Sequence, residues 1–225
     1  MNILCLTHAD FETPGIIEQW ALEQNHAFQI KRPYRGESLP DIDPFDFLII
    51  MGGPQSPLKL DQFPYLSLEI NLIRSAIAQN KKIVGFCLGA QLIGEALGAK
   101  TERSPEKEVG VYPITLTSEG EKDRLLKDFP SSFPVIHWHN DMPGLTQDSV
   151  VLASSLGCPR QVVRYKENIY GFQCHLEITL AGIKTMLAAV PEDLNPSKFT
   201  QSETVLLNQD YRSINDKMIQ ILDVF

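Results

Sequence analysis

Short apolar runs alternate with amphipathic stretches along the first hundred residues of the chain. Continuous apolar runs of about four to eight residues are typical of strands buried inside a parallel sheet. The stretches between them place apolar residues about one helical turn apart, which predicts helices. The predicted strands cover residues 2–6, 27–30, 45–51 and 82–86, and the predicted helices cover residues 14–24, 64–79 and 88–97. This alternation predicts a parallel sheet with helices on both faces.

The second half of the chain has a different pattern. Runs of strand-like composition follow one another with few helical stretches between them, at residues 109–117, 134–139, 150–154, 161–165 and 169–175. We expect these strands to form a mixed or antiparallel extension on the same core. Beyond them, the pattern predicts a helix, a loop and a further helical region, at residues 179–190, 191–196 and 203–225. No linker separates the halves, so the predicted fold is one α/β domain over residues 1–225: a doubly wound, mostly parallel sheet with an antiparallel extension.

The net charge, the apolar runs and the cysteines indicate which kinds of binding partner and which cellular location to expect. The 225 residues include 20 basic and 28 acidic side chains, a net charge of −8, so we expect no nucleic-acid partner. No apolar run approaches the length needed to cross a bilayer, and the first residues do not resemble a signal peptide, so we expect no membrane partner. The four cysteines lack the spacing of a metal site or a disulfide framework, which predicts free thiols and a cytoplasmic location.

The most informative segment surrounds Cys87, where a predicted strand runs directly into a predicted helix. Gly85 and Gly89 flank the cysteine two residues away on each side, a G-x-C-x-G pattern. A sharp strand-to-helix turn crowds these two positions, and glycine leaves the room that the turn needs. The turn places the sulfur at a helix N-terminus, which favours the thiolate, and directs the backbone N–H of Leu88 toward a bound oxyanion. The alternative is a buried structural cysteine, the interpretation that we give to Cys5 and Cys158.

A thiolate nucleophile needs an oriented base, and His175 and Glu177 are the best candidates. They lie two residues apart at the end of a predicted strand, so their side chains share one face. A carboxylate beside an imidazole accepts its N–H and stabilises the imidazolium, which suits a general base that later acts as an acid. A histidine at the sheet edge beside a surface glutamate is the alternative, and it would be preferred if this pair stood alone.

A second histidine-containing segment provides rival interpretations. His137 and His139 are two apart on a predicted strand and could bind a metal, but no third ligand follows at a persuasive spacing, so we expect no metal. A dyad of His139 with Asp141 is a weaker alternative for the base. His8 and His26 are predicted to be ordinary surface or loop histidines.

A Gly52-Gly53-Pro54 turn closes the strand predicted at residues 45–51. Such a turn exposes backbone N–H groups without side chains in the way. It would suit an oxyanion donor at the carboxyl edge of a parallel sheet, where ligands of such sheets bind. A plain turn without a function is the alternative.

Taken together, the order and spacing of these segments resemble the class I, triad-type glutamine amidotransferases, especially their free-standing GMP-synthetase-like branch. The resemblance implies a flavodoxin-like doubly wound fold with Cys87 as nucleophile, His175 as base and acid, and Glu177 orienting it. It also implies an oxyanion hole from the N–H groups of Gly53 and Leu88, with the substrate bound near Gly52, Gly89 and Gln91. Members of the family release ammonia from glutamine for a synthase, or cleave other γ-glutamyl amides, without a metal or an organic cofactor.

Several departures from the family pattern leave the function open. Leu176 replaces the proline that commonly separates the histidine from the glutamate, which predicts a less rigid strand end. Cys174 alternates to the opposite face from His175 and is predicted to pack in the core. DJ-1-like proteins share an elbow cysteine on a doubly wound sheet, but they usually place a histidine after it, where this chain has Leu88. Three functions therefore remain: a hydrolase acting alone on a small γ-glutamyl substrate, a glutaminase subunit that serves a separate synthase subunit, or a non-catalytic binding module.

Overall fold

A ten-stranded sheet runs through the computed structural model, which describes residues 1–225. Its strands are β1 (Asn2–Leu6), β2 (Ala27–Lys31), β3 (Phe47–Ile50), β4 (Lys82–Phe86), β5 (Glu102–Leu116), β6 (Ser132–Met142), β7 (Val150–Ser154), β8 (Val162–Lys166), β9 (Ile169–Phe172) and β10 (Phe199–Thr200). The helices are α1 (Ile16–Glu23), α2 (Tyr65–Ala78), α3 (Leu88–Ala96), α4 (Leu180–Ala189), α5 (Glu203–Leu207) and α6 (Tyr211–Val224).

The sheet divides into a parallel part and an antiparallel part. Strands β2, β1, β3, β4 and β9 lie side by side and pair in parallel, in the order of a flavodoxin-like doubly wound sheet. From β9 the sheet continues through β8, β7 and β5 with antiparallel pairing, and β6 pairs antiparallel with β5. The predicted fold class is therefore confirmed, including the antiparallel extension.

Side-chain alternation along the central strands supplies apolar groups to both faces of the sheet. In β1, Ile3 and Cys5 belong to a core that also contains residues of α1 and α6. Leu4 and Leu6 point the other way, into a second core with residues of α2 and α3. Because successive side chains of a strand point to opposite faces, a run that is apolar at every position requires a helical layer on each side.

Some predicted boundaries differ from the structure. Strand β5 begins at Glu102 instead of residue 109. Its first residues are polar, so they lack the apolar pattern of a strand, but they pair with β6 on both sides of a bulge between Arg103 and Glu108. The predicted helix over residues 203–225 is broken into α5 and α6, since Asp210 caps the second helix by accepting a hydrogen bond from the N–H of Ser213. The predicted loop at residues 191–196 contains a short 3₁₀ helix, Pro191–Leu194.

Three chain segments meet at the carboxyl edge of the parallel strands, where ligands bind in such folds. They are the turn after β3, the turn between β4 and α3, and the segment that follows β9. The last segment is held in place by His175, whose backbone forms hydrogen bonds in both directions with Ile136 of β6. Among the helices, none has both the length and the apolar composition that a membrane crossing requires.

Candidate active site

Cys87 occupies the sharp turn between β4 and α3 and has a backbone φ of 48°, which is rare for a residue with a side chain. The flanking glycines permit this turn. A Cβ on Gly85 would lie 2.4 Å from the carbonyl group of Gly89, and a Cβ on Gly89 would lie 2.1 Å from the carbonyl oxygen of Ile50. The close approach of α3 to β3 and β4 therefore depends on glycine at both positions, and Cys87 is held as the first residue before the helix.

His175 and Glu177 are both buried and directly bonded to each other. The Nδ1–H of His175 donates to Glu177 Oε1 over 2.6 Å. The other carboxylate oxygen, Oε2, accepts a hydrogen bond of 3.0 Å from the backbone N–H of Leu176. Asn215 of α6 donates to the carbonyl oxygens of Leu176 and Ile178, which fixes this stretch on its far side. Leu176 thus contributes an N–H that a proline would lack. The hydrogen bonds of Leu176 and Asn215 fix the end of this strand without the rigid backbone that a proline would provide.

The thiol of Cys87 donates to the carbonyl oxygen of Trp138 over 3.7 Å. The imidazole of His175 lies next to Cys87, since a Cβ on Gly52 would be 3.2 Å from His175 Cε1 and 3.5 Å from Cys87 Cβ. Burial alone would lower the pKa of His175, but the negative charge of Glu177 and the hydrogen bond with it outweigh that effect, with a further contribution from Cys87. The pKa of His175 is therefore raised well above its ordinary value. The structure thus brings Cys87 together with the His175–Glu177 pair, which lies far from it in the sequence, and the imidazole favours the protonated form.

The turn at Gly52 and Gly53 is held by His8, which lies at the end of β1. His8 lies in the loop that was one of its two predicted settings, but it is 1% exposed, so the prediction of a surface histidine is wrong. Its Nδ1–H donates to the carbonyl oxygen of Gly52 over 3.1 Å, and its Nε2–H donates to Glu69 Oε2 of α2 over 2.8 Å. Because that carbonyl belongs to the same trans peptide as the N–H of Gly53, bonding one group fixes the direction of the other.

We expect removal of His8 to affect both stability and the Gly53 amide. Burial opposes the charge on His8, but Glu69 and the Gly52 carbonyl raise its pKa above the ordinary value. A His8→Leu variant leaves Glu69 buried and unpaired, which costs about 3–5 kcal/mol. The double variant His8→Leu/Glu69→Leu should recover most of that stability. Any turnover that depends on the Gly53 N–H should still fall by about 10-fold or more in the double variant.

Denaturant unfolding at several pH values tests this prediction. A raised folded-state pKa stabilises the protein fully below the unfolded value of about 6.5, and the contribution is lost as the pH rises through the folded value. The stability gap between wild type and the double variant should therefore be larger at pH 6 than at pH 9. A gap that grows with rising pH would contradict the charged state assigned to His8.

A buried polar cluster lies behind β6. Glu108 of β5 lies 3.5 Å from His137 Nδ1 and 3.3 Å from His139 Nε2, and these three ligand atoms lie within 4.8 Å of one another. The third candidate ligand comes from β5, 29 positions earlier in the chain than His137, where no spacing after the two histidines could indicate it. The three groups could hold a divalent metal.

The atoms of Glu108, His137 and His139 that could bind a metal already have hydrogen-bond partners in the protein. Gln161 Nε2 lies 2.8 Å from Glu108, 3.1 Å from His137 Nδ1 and 3.1 Å from His139 Nε2. Ser155 donates to both oxygens of the Glu108 carboxylate. Burial raises the pKa of Glu108, but its hydrogen bonds with the two histidines outweigh this and lower it, whereas burial lowers the pKa of His139 to about 4. A neutral His139 beside an ionised Glu108 forms a buried network that supports the strand carrying Trp138, although His139 Nδ1 and Gln161 Oε1 have no hydrogen-bond partner.

The alternative dyad of His139 with Asp141 does not form. Asp141 accepts hydrogen bonds from Ser56 over 2.6 Å and from Arg103 over 2.7 Å, while His139 is bonded within the cluster around Glu108. The imidazole that lies beside Cys87 with a carboxylate partner is that of His175.

A cavity of about 280 Å³ opens over Cys87. It is lined by Gly53 and Gln91 and by side chains of both charges, which include Lys59, Arg103, Lys107, Asp141 and Asp193. Gln91 is held by its Nε2, which donates to Gln173 Oε1 over 3.1 Å. Gly89, in contrast, is fully packed against β3 and does not line the cavity, so its predicted contact with substrate is replaced by a steric role at the turn. Gly52 lies at the back of the site, between His175 and Cys87.

Four side chains near the site were not identified from the sequence: Glu12, Glu69, Glu108 and Gln161. Glu69, Glu108 and Gln161 acquire their positions from partners tens of residues away, and Glu12 is placed by the packing of its loop on Glu177, so no local spacing marks any of them. The best available signal was a charged residue inside an otherwise apolar helical face, as at Glu69 between Leu66 and Ile73 of α2. A buried charge requires a partner, and that requirement would have pointed to a buried cation such as His8.

Comparison with known proteins agrees with this geometry. The family model for glutamine amidotransferase class-I matches residues 22–189. The glutamine amidotransferase-like protein YfeJ of Salmonella typhimurium is 42% identical over 230 residues, which cover 99% of this chain and 96% of YfeJ. The crystal structure of SMU.1228c has a TM-score of 0.94 and 43% identity, with 99% of this chain and 98% of that chain covered. A glutamine-hydrolyzing GMP synthase subunit of Methanococcus maripaludis is 31% identical over 134 residues, 59% of this chain and 64% of that protein.

Proposed function

Because the chain belongs to the class I glutamine amidotransferase family, we propose that it hydrolyses the γ-amide of glutamine or of a γ-glutamyl conjugate through a thioester on Cys87. The observation that carries this proposal is the placement of the bonded His175–Glu177 pair beside Cys87: one point at Gly52 lies 3.2 Å from His175 Cε1 and 3.5 Å from Cys87 Cβ. A structural cysteine needs neither a strained turn nor a buried imidazole–carboxylate pair beside it.

The reaction follows from these three groups. The thiol of Cys87 gives its proton to Nε2 of His175, and the thiolate attacks the γ-carbonyl carbon. The carbonyl oxygen takes up negative charge that the N–H groups of Gly53 and Leu88 stabilise. His175 donates its Nε2 proton to the amide nitrogen, the C–N bond breaks, and the amine or ammonia leaves. His175 then accepts a proton from water, which attacks the thioester and releases the γ-carboxylate and the thiol. Glu177 holds the imidazole in one orientation and stabilises its charged form throughout.

The cavity suits a small zwitterionic substrate. Its walls carry both cationic and anionic side chains around Gln91, so an α-carboxylate and an α-ammonium group each find an opposite charge. The thiol remains reactive only in a reducing environment, and all four cysteines are free, so we place this activity in the cytoplasm. The chemistry above uses protein groups alone, without a cofactor.

The test is a panel of γ-glutamyl amides, with glutamine included, followed by release of ammonia or amine. Wild-type protein should release the amine from at least one member and form the matching γ-carboxylate in equal amount. Equal rates for wild type and Cys87→Ala across the whole panel would refute the proposal and favour a non-catalytic binding module.

The relative from Methanococcus maripaludis, which is named as part of a GMP synthase, supports a second possibility: that the protein supplies ammonia to a separate synthase partner. A tagged copy of the chain, used in a pull-down from a lysate of its native source, should then recover a stoichiometric synthase that raises glutamine hydrolysis. Full activity of the isolated chain, with no such partner, would favour the free-standing hydrolase.

A further inference from the structure

Glu12 lies in the loop between β1 and α1, and this loop is anchored to the strand end that carries the histidine and glutamate. Ile16 N–H donates to the carbonyl oxygen of Glu177 over 3.0 Å. Gly15 has a φ of 57°, and a Cβ there would lie 2.1 Å from that same oxygen. The close packing of Gly15 on Glu177 thus keeps Glu12 at a fixed distance from His175.

The carboxylate of Glu12 faces the reacting groups. The position that a Cβ of Gly52 would occupy lies 2.2 Å from Glu12 Oε2, 3.2 Å from His175 Cε1 and 3.5 Å from Cys87 Cβ. Three functional side chains therefore surround a single point, which glycine leaves open. Glu12 also lines the same cavity as Cys87.

Glu12 differs from the other acidic side chains of the cavity because it has no hydrogen-bond or ion-pair partner in the protein. Asp141 is bonded to Ser56 and Arg103, and Asp193 is bonded to Trp138 and Lys107. Burial raises the pKa of Glu12 to about 7, so the carboxylate is destabilised until a hydrogen-bond donor or a cation approaches it. An unpartnered, half-buried carboxyl group beside a reacting centre is available to a ligand.

The orientation of His175 indicates which part of a substrate approaches Glu12. Nδ1 of the ring is bonded to Glu177, which leaves Nε2 for the reacting groups, and Cε1, which lies between these two nitrogens, is on the side of Glu12. In the proposed reaction, Nε2 delivers the proton to the leaving nitrogen. That nitrogen therefore lies on the Glu12 side of the site, while the carbonyl oxygen is directed to the N–H groups of Gly53 and Leu88.

We propose that Glu12 accepts a hydrogen bond from the N–H of the leaving amide nitrogen and holds the amine as it forms. This inference rests on the proposed function and makes its substrate class more specific: γ-carboxamides with at least one N–H on the leaving nitrogen, in preference to γ-esters. The C–N bond still breaks with a proton from His175, and Glu12 neither gains nor loses a proton in the step.

Parallel kinetics on L-glutamine and on the γ-methyl ester of glutamate test this proposal. Glu12→Met removes the acceptor and keeps the length, and it should lower kcat/KM for glutamine by about 10- to 100-fold. Glu12→Gln retains a neutral acceptor oxygen, so its kcat/KM for glutamine should lie between those of Glu12→Met and wild type. On the ester, whose leaving oxygen has no N–H, both variants should stay within about 3-fold of wild type.

Asp10→Asn is the matched control, because Asp10 lies in the same loop but is exposed and bonded to Tyr34 and Arg35. It should leave both rates unchanged. Equal losses on the amide and the ester, or no loss on the amide, would overturn the role of Glu12 while the proposed hydrolysis stands. If wild type cleaves neither compound nor any other γ-glutamyl amide, the proposed function fails and this inference fails with it.

Discussion

Replacement of Cys87 with alanine is expected to lower kcat by about 10⁴-fold or more without unfolding the protein. The sulfur is the only group in the proposed reaction that bonds to the substrate carbon, so no neighbouring side chain can substitute for it. The side chain is small, and the strained φ of 48° persists in the variant, so the free energy of unfolding should change by about 1 kcal/mol or less. Steady-state amine release gives kcat, and thermal unfolding of the same preparations gives the change in stability.

Cys5→Ala is the matched control for this experiment. Cys5 is fully buried in β1, within the core that contains residues of α1 and α6. Its loss should cost about 1 kcal/mol of stability and leave kcat unchanged. If Cys87→Ala retained wild-type turnover, or if Cys5→Ala abolished turnover at full stability, the nucleophile would be wrongly assigned.

Gly89→Ala is expected to be among the most destabilising single substitutions in the turn, with a loss of about 3 kcal/mol. The new methyl group would lie 2.1 Å from the carbonyl oxygen and 2.7 Å from the carbonyl carbon of Ile50. These are backbone atoms of a central strand, so they cannot rotate away as a side chain can. Helix α3 would have to move away from β3, and Cys87, which immediately precedes α3, would move with it.

Thermal unfolding should show this as a decrease in Tm of roughly 6–12 °C, together with a large loss of turnover. Gly182→Ala in α4 serves as the control, because its nearest neighbours are side-chain atoms, Ile178 Cγ2 at 3.0 Å and Thr179 Oγ1 at 3.8 Å. We expect that variant to remain within about 1 kcal/mol of wild type. If Gly89→Ala and Gly182→Ala were equally stable, the turn would accommodate a methyl group at residue 89, and the close packing of α3 on β3 would not require glycine there.

The parts of the site predicted from the sequence are those with a local signature. Cys87 is marked by glycines two residues away on each side, and His175 and Glu177 are two apart on one strand face. The spacing of each motif is set by the geometry of a single turn or strand, so a short stretch of sequence suffices. The parallel half of the sheet was predictable for the same reason, since its strands are apolar at nearly every position.

The residues that support the site could not be found in this way. His8 and Glu69 are 61 residues apart, and Glu108 and Gln161 are 53 apart, yet each pair is in direct contact. Such contacts follow from how strands and helices are placed next to one another, and that placement has no local pattern. The polar first residues of β5 were missed because their pairing with β6, rather than burial of apolar side chains, keeps them extended.

The central claim is that a reactive sulfur at Cys87 faces a pocket shaped for a γ-glutamyl group, and covalent labelling tests it most directly. The protein is incubated with a glutamine analogue that carries an electrophilic ketone in place of the γ-amide, and the adduct is located by peptide mass spectrometry. We predict one adduct, on Cys87, which is slowed by free glutamine and by His175→Asn and is absent in Cys87→Ala. Labelling that is spread over Cys5, Cys158 and Cys174, or labelling of Cys87 that glutamine does not slow, would contradict the account.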